Sequence, residues 1–161
     1  MLIETKSVTQ MGLVAGTTWI VNSAVVAGVL LMILAANALL IGFQFRSVMP
    51  FYALLFVALA VNFFVPLSLL NGLSTLPRLV LGTSVLSAPL FLAAIIFAAL
   101  FSAAPDPSKA LGINLLGALV GGVLEYSSMV VGINALNVLA SALYALSIVW
   151  YRKVPRITKI R

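Results

Sequence analysis

Residues 19–43 read WIVNSAVVAGVLLMILAANALLIGF and contain no Asp, Glu, Lys or Arg. A helix of about 20 apolar residues is long enough to cross the hydrocarbon core of a bilayer. The charge-free run extends on both sides, from Lys6 to Arg46. Trp19 suits a membrane–water interface, where an amphipathic ring is stable. This stretch therefore predicts a transmembrane helix.

The composition extends that prediction to the whole chain. Of its 161 residues, 63% are hydrophobic and 7% are charged, against about 25% charged residues in an average soluble domain. A soluble fold would leave much of this apolar surface in water, at a cost of about 25 cal/mol per Å². We therefore expect an all-α, polytopic transmembrane helix bundle. The remaining charge-free blocks lie between Arg46 and Arg78, between Arg78 and Asp106 and, apart from Glu125, between Lys109 and Arg152.

Turn-forming residues divide these blocks into about five spanning helices. We expect an N-terminal segment (1–18), a five-helix module (19–151) and a basic C-terminal tail (152–161). The five helices are expected at residues 19–43, 49–70, 79–101, 109–131 and 135–151.

Local signals refine three of these boundaries. Pro89 lies inside the third span, where it should kink the helix and free a backbone carbonyl that a neighbour must satisfy. Ser108 is a candidate N-cap for the fourth span. Gly132 and Asn134 favour a very short turn before the fifth span.

The basic residues predict the orientation, because cytoplasmic loops are enriched in Lys and Arg. The tail (152–161) carries five of the nine basic residues and no acid. Five spans with this tail inside place the N-terminus outside. Seven basic residues then lie inside, including Arg46 and Lys109, and two lie outside, Lys6 and Arg78. We expect a multi-pass protein of the bacterial inner membrane with a cytoplasmic C-terminus.

The fourth span carries the most informative pattern. Five residues follow helical three-and-four spacing, so they share one face: Asn114, Gly117, Gly121, Glu125 and Ser128. Gly117 and Gly121 form a small-xxx-small pair, which lets another helix backbone approach closely. We expect this face to pack against protein rather than lipid.

Glu125 allows two interpretations. A carboxylate inside a membrane costs several kcal/mol unless it is neutral, paired or hydrated, so it could be a proton relay or a cation site. Alternatively, a protonated Glu125 hydrogen-bonds across helices and fixes their packing. The second interpretation is favoured because the sequence offers no other membrane-buried charge as a partner.

Four asparagines lie in apolar surroundings. Interhelical amide hydrogen bonds contribute about 0.6 kcal/mol on average in membranes. We favour a packing role for these residues over a polar substrate path. They are Asn22, Asn37, Asn62 and Asn137.

Residues that are absent from the sequence limit its chemistry. The chain has no Cys and no His, so it lacks the usual zinc ligands and the usual nucleophile–base pairs. We expect no catalytic site, no metal and no cofactor, but we do expect bound lipids. The basic tail is not accompanied by a recognisable nucleic-acid-binding domain, so nucleic acid is not an expected partner.

Two stretches resemble a known family. WIVNSAVVAGVLLMILAAN (19–37) and ALGINLLGALVGGVLEYSSMVVGINALNVLASALYAL (110–146) are similar to the membrane region of large bacterial proteins fused to a spermidine-synthase-like domain. The resemblance runs from about Trp19 to about Ser147, and it is densest over LGINLLGALVGGVLEY (111–126).

This resemblance implies a helical membrane module beside a domain for aminopropyl or methyl transfer. The chain has no glycine-rich nucleotide-binding loop, and its only Asp is Asp106. No catalytic residue can therefore be carried over. The resemblance carries over only the packing face of the fourth span, which comprises Asn114, Gly117, Gly121, Glu125 and Tyr126.

Three functions follow from these patterns. The leading hypothesis is a small multi-pass subunit with a structural role in a larger membrane assembly. The second is a transporter-like or proton-coupled carrier module that uses Glu125. The third is a membrane anchor for a separate spermidine-synthase-like transferase, bound as a soluble partner at the C-terminal tail.

Overall fold

The protein is an all-helical bundle in a computed structural model, as expected. The structure describes residues 2–15, 19–42, 47–64, 72 and 74–153, and no strand occurs among them. The helices are α1 (Leu2–Ala15), α2 (Trp19–Gly42), α3 (Met49–Phe64), α4 (Thr75–Ser102), α5 (Pro107–Glu125), α6 (Ser128–Val131) and α7 (Ala135–Lys153).

Three stretches of helix are long and apolar enough to cross a membrane: Asn22–Leu40, Leu76–Ser102 and Pro107–Val131. The other apolar helices, Met49–Phe64 and Ala135–Tyr151, are shorter. At 1.5 Å per residue, α3 is about 24 Å long, less than the roughly 30 Å hydrocarbon core. The structure thus supports three spans where the sequence predicted about five, and residues 65–70 of the predicted second span lie outside the described residues.

The expected fourth span is interrupted. A turn at Tyr126 and Ser127 separates α5 from the short α6. Ser127 Oγ donates to the Leu124 carbonyl at 2.6 Å, and Ser128 Oγ donates to the Glu125 carbonyl at 2.7 Å. Serine hydroxyls compete in this way for backbone acceptors and weaken a regular helix.

The predicted N-cap of the same span was also wrong. Asp106, not Ser108, caps α5, and its Oδ1 accepts from the Lys109 backbone N–H at 3.1 Å. Pro107 occupies the first helical position, where its fixed φ and missing N–H are tolerated. The carboxylate also interacts favourably with the positive end of the helix dipole. The expected turn after α6 is present, and Gly132 adopts a φ of 92° there.

The helix α1 was not predicted. The sequence assigned residues 1–18 to a segment outside the membrane, but α1 packs against α2, α4, α5 and α7. Lys6 and Ser7 are each 1% exposed, and Met11 is fully buried. Lys6 therefore lies in a helix that packs into the bundle and not in a loop.

The main core lies between α3, α4 and α7. Tyr52, Leu55 and Leu59 follow three-and-four spacing on α3 and are buried. They pack in one cluster with Ile96 of α4 and Ala140 of α7. Helical periodicity thus places a single face of α3 in the core.

The helices α2 and α4 approach closely at Gly28. A Cβ atom built there would lie 2.7 Å from Thr83 Cγ2. We expect Gly28→Ala to lower the free energy of unfolding by about 1–3 kcal/mol, the usual cost of overpacking. Unfolding of the purified protein in detergent measures the effect.

The matched control for Gly28→Ala is Gly122→Ala. Gly122 also lies inside a helix, but a Cβ atom there would meet nothing within 4 Å. Equal destabilisation by the two substitutions would show that loss of glycine, not the contact with Thr83, is responsible.

Candidate functional site

The helix α5 is the least covered helix of the bundle. None of its residues is buried. Asn114 and Gly117 are exposed, and a Cβ atom at Gly117 would meet no other atom within 4 Å. Among the described residues, the small, polar face that the sequence predicted is exposed at Asn114 and Gly117 and half-buried at Gly121 and Glu125. The expectation that it packs inward is therefore not met at Asn114 and Gly117 within the single chain.

The opposite face of α5 is open as well. It presents large aliphatic side chains, including Leu115, Leu119 and Val123, which are 59%, 69% and 71% exposed. Among the described residues, α5 packs only lightly, against α1, α4 and α6. The helix therefore carries two chemically different faces that are both available to lipid or to protein.

Glu125 connects the end of α5 to α1. Thr5 Oγ1 donates a hydrogen bond of 2.6 Å to Glu125 Oε1. This contact is of the cross-helix kind that the packing interpretation requires. A second charged residue, Lys6, is buried next to Thr5. Tyr126 follows Glu125 and is 70% exposed.

The Thr5–Glu125 contact can be measured by a double-mutant cycle. Thr5→Val and Glu125→Leu should couple by about 0.6 kcal/mol, and at most about 1.7 kcal/mol, the range for such bonds in membranes. Unfolding in detergent gives the two single effects and the combined effect. Strictly additive effects would mean that the hydrogen bond does not hold α5 to α1.

Buried polar groups of α1, α3 and α4 meet at a second place, which we call the polar junction (Lys6, Ser7, Asn62 and the Leu86 carbonyl). Lys6 Nζ donates to the Asn62 carbonyl at 3.1 Å. Asn62 Nδ2 donates to the Leu86 carbonyl at 3.4 Å. Ser7 Oγ lies 3.1 Å from the same carbonyl and 2.8 Å from the Ile3 carbonyl. These contacts join three helices through side-chain donors and backbone acceptors.

The proline of α4 lies next to the polar junction. Pro89 has no N–H, so the Val85 carbonyl loses its usual helical donor. The adjacent Leu86 carbonyl accepts from both Ser7 and Asn62. The sequence predicted that a neighbour would satisfy the carbonyl that Pro89 frees. The observed donors from α1 and α3 reach the adjacent Leu86 carbonyl and not that of Val85.

Burial dominates the electrostatics of Lys6. Lys6 is only 1% exposed. Desolvation by burial lowers the pKa of Lys6 from its ordinary value of 10.5, because a poorly solvated ammonium loses its interaction with water. The polar junction thus contains a basic group whose charged form is destabilised.

The four asparagines divide into two pairs. Asn62 and Asn137 are buried, and Asn137 Nδ2 donates to the Leu59 carbonyl of α3 at 2.8 Å. Asn22 and Asn37 are exposed, and Asn37 Nδ2 donates to Ile33 of its own helix at 3.0 Å. The first pair therefore links helices, whereas Asn37 bonds only within α2.

An open groove lies between α3 and α7. Its volume is about 300 Å³, and Phe56, Phe63, Phe64 and Val138 line it beside Asn137. The lining is mainly apolar, which suits the hydrocarbon part of a ligand better than a charged group. This groove is one place where the lipids expected from the sequence could bind.

No metal-binding group of three or more His, Cys, Asp or Glu residues occurs in the described parts of the chain. Most of the basic tail, residues 154–161, lies outside those parts. Searches of protein-family models, curated proteins and solved structures found no match to this chain. The resemblance to spermidine-synthase-like membrane regions therefore stays a hypothesis.

Sequence reasoning missed the polar junction. Lys6, Ser7 and Gln10 lie at three-and-four spacing within a segment that can form a helix. That spacing was the available signal. It did not reveal that the donors face Asn62 and Leu86, which are distant in sequence.

Proposed function

We propose that this chain is a small multi-pass membrane subunit that binds a protein partner in the bilayer through α5. The observation that carries the proposal is that a helix of 19 residues has no buried residue in the single chain. Lipid alone could cover its aliphatic face, because lipid tails are as apolar as leucine. The other face needs a different account.

Asn114 explains why the small, polar face of α5 favours a protein partner over lipid. It lies near the middle of α5 and is exposed. An amide in hydrocarbon without a hydrogen-bond partner is costly, whereas a partner helix can supply a donor or an acceptor. Gly117 and Gly121 follow on the same face and would let that helix approach closely. A protein partner thus satisfies the features of this face that lipid does not.

The remaining parts of the proposal concern location. We propose that α3 and α7 also cross the bilayer, together with the three longer helical stretches, and that the C-terminus is cytoplasmic. The basic tail supports this orientation, because it carries five of the nine basic residues. The bacterial inner membrane is the location we favour.

Photo-crosslinking in native membranes tests the proposed interface. A small diazirine side chain at Ala118, at the edge of the Asn114–Gly117 face, should give a protein adduct of discrete mass. The matched control carries the same side chain at Val123, on the exposed aliphatic face, and should label mainly lipid. Lipid adducts alone from both positions would contradict the proposal.

A further inference from the structure

The polar junction leaves buried hydrogen-bonding atoms without partners. Asn62 Oδ1 and Ser87 Oγ are buried, and neither has a hydrogen-bond partner among the described residues. Ser87 follows Leu86, whose carbonyl belongs to the junction, and Ser87 is fully buried. Gln10 Oε1, one helical turn from Lys6, is also buried without a hydrogen-bond partner among the described residues. Buried polar atoms are normally satisfied, so these atoms require an explanation.

The Lys6 ammonium brings N–H donors to the polar junction. A lysine ammonium has three N–H donors, and the recorded contact of Nζ uses one of them, toward the Asn62 carbonyl. Water can donate to amide and hydroxyl oxygens and accept from an amine. Polar groups of this kind are those that hold buried water in proteins. The junction therefore combines a basic group with atoms suited to hold water beside it.

Other charged and titratable groups occur on α1 and on the helices that pack against it. Glu125 accepts from Thr5, and Tyr52 shares a hydrogen bond with Ser147. Arg78 lies eight residues from Leu86, about 12 Å along α4. The helix α2 contributes no such group, and the others on the packed elements are Glu4 of α1, Lys109 of α5, and Tyr144, Tyr151, Arg152 and Lys153 of α7.

We propose that the polar junction is a proton-binding site, in which Lys6 Nζ exchanges a proton with water held at Asn62 Oδ1. In the forward step one proton leaves the Lys6 ammonium and passes through this water to bulk water, so that a neutral amine and the held water remain. The reverse step restores the ammonium. The hydrogen bond to the Asn62 carbonyl persists in both states, because a neutral amine still has N–H donors.

The site would take protons and water as its ligands. This inference does not depend on the proposed binding of a protein partner by α5. It also differs from a carrier role for Glu125, because the titrating group is a lysine on α1. Failure of either proposal leaves the other intact.

Titration of the full-length protein in detergent, labelled with ¹⁵N at the lysine side chains, tests the site. The chain has four lysines, at 6, 109, 153 and 159. Lys109 is the internal reference, because its side chain is 83% exposed. We expect Lys6 to titrate at a lower pH than Lys109, because burial disfavours the charged ammonium. A Lys6 midpoint equal to that of Lys109, or an ammonium that persists where Lys109 is neutral, overturns the proposal.

Assignment of the Lys6 signal does not depend on one variant. Lys6→Arg removes it directly. If that variant does not fold, the variants Lys109→Arg, Lys153→Arg and Lys159→Arg identify it by elimination.

The role of water is tested separately by Asn62→Leu. Without Asn62 Oδ1 the water that stabilises the Lys6 ammonium is no longer held. The titration midpoint of Lys6 should therefore fall further. Magnetisation transfer from water to the Lys6 amine protons should weaken at least about twofold. The control is Asn37→Leu, an exposed asparagine that bonds only within α2, and it should leave both quantities unchanged. An unchanged midpoint and water transfer in folded Asn62→Leu overturns the proposed water link.

Discussion

Replacing Gly117 with leucine is expected to release the chain from its membrane partner while the chain itself stays folded. A Cβ atom at position 117 meets nothing within 4 Å in the single chain, so leucine causes no internal clash. In a close helix–helix contact the same side chain would separate the backbones. Overpacking typically costs about 1–3 kcal/mol, which corresponds to roughly a 5- to 150-fold loss of affinity.

The measurement for Gly117→Leu is the size of the native complex after mild detergent extraction, together with the unfolding transition of the purified chain. Val123→Leu is the matched control, because it also enlarges an exposed side chain of α5 but on the aliphatic face. It should leave both the complex and the unfolding transition unchanged. A complex that survives Gly117→Leu at wild-type abundance would place the interface elsewhere.

The second large effect is expected from Lys6→Glu, which should displace α1 from the bundle. Lys6 Nζ donates to the Asn62 carbonyl at 3.1 Å, and a carboxylate there would face that carbonyl oxygen without a donor. A buried charge that loses its partner destabilises a protein by about 3–5 kcal/mol. The loss should be concentrated in α1, whose Ser7 and Lys6 hold it against α3 and α4.

Cysteine labelling measures this displacement, since the chain has no native cysteine. Met11→Cys places a thiol at a position that is fully buried on α1. Maleimide should modify it slowly in the otherwise wild-type chain and at least about tenfold faster when Lys6→Glu is added. A tenfold change corresponds to about 1.4 kcal/mol. A tenfold acceleration is therefore a lower bound on the expected loss of stability.

Lys109→Glu is the matched control for the same charge change. Lys109 pairs with Asp106 at 3.4 Å, and its side chain is largely exposed. Exposed ion pairs contribute about 0–1 kcal/mol, so the Met11→Cys thiol should stay protected in this variant. Equal acceleration by both substitutions would indicate a general effect of net charge rather than the loss of the Lys6 contact.

The sequence determined the features that depend on local composition. Charge-free apolar runs predicted an all-helical chain, and residues 19–43 predicted α2 to within a residue. The turn at Gly132 followed from glycine and asparagine. The cap of α5 is an exception, because Asp106 and not the predicted Ser108 takes that position. Each of these signals acts within a few residues of chain.

The tertiary structure decided which polar residues meet. Asn62 and Asn37 have the same side chain in similarly apolar surroundings, yet one bonds across helices and the other within its own helix. Lys6 is a charged residue in a segment without a long apolar run, yet it is buried. Whether Lys6 is buried depends on a partner more than 50 residues away in the sequence. No local sequence pattern specifies that partner.

The boundary between these two kinds of information has a physical cause. Apolar helix faces interact about equally well with lipid tails and with other apolar helices, so hydrophobicity predicts the helices themselves but not which faces touch. The open face of α5 and the buried position of α1 are both consequences of this. Hydrogen bonds between distant residues, such as those from α1 to Asn62 and Leu86, fix the arrangement, and they form only when the helices come together.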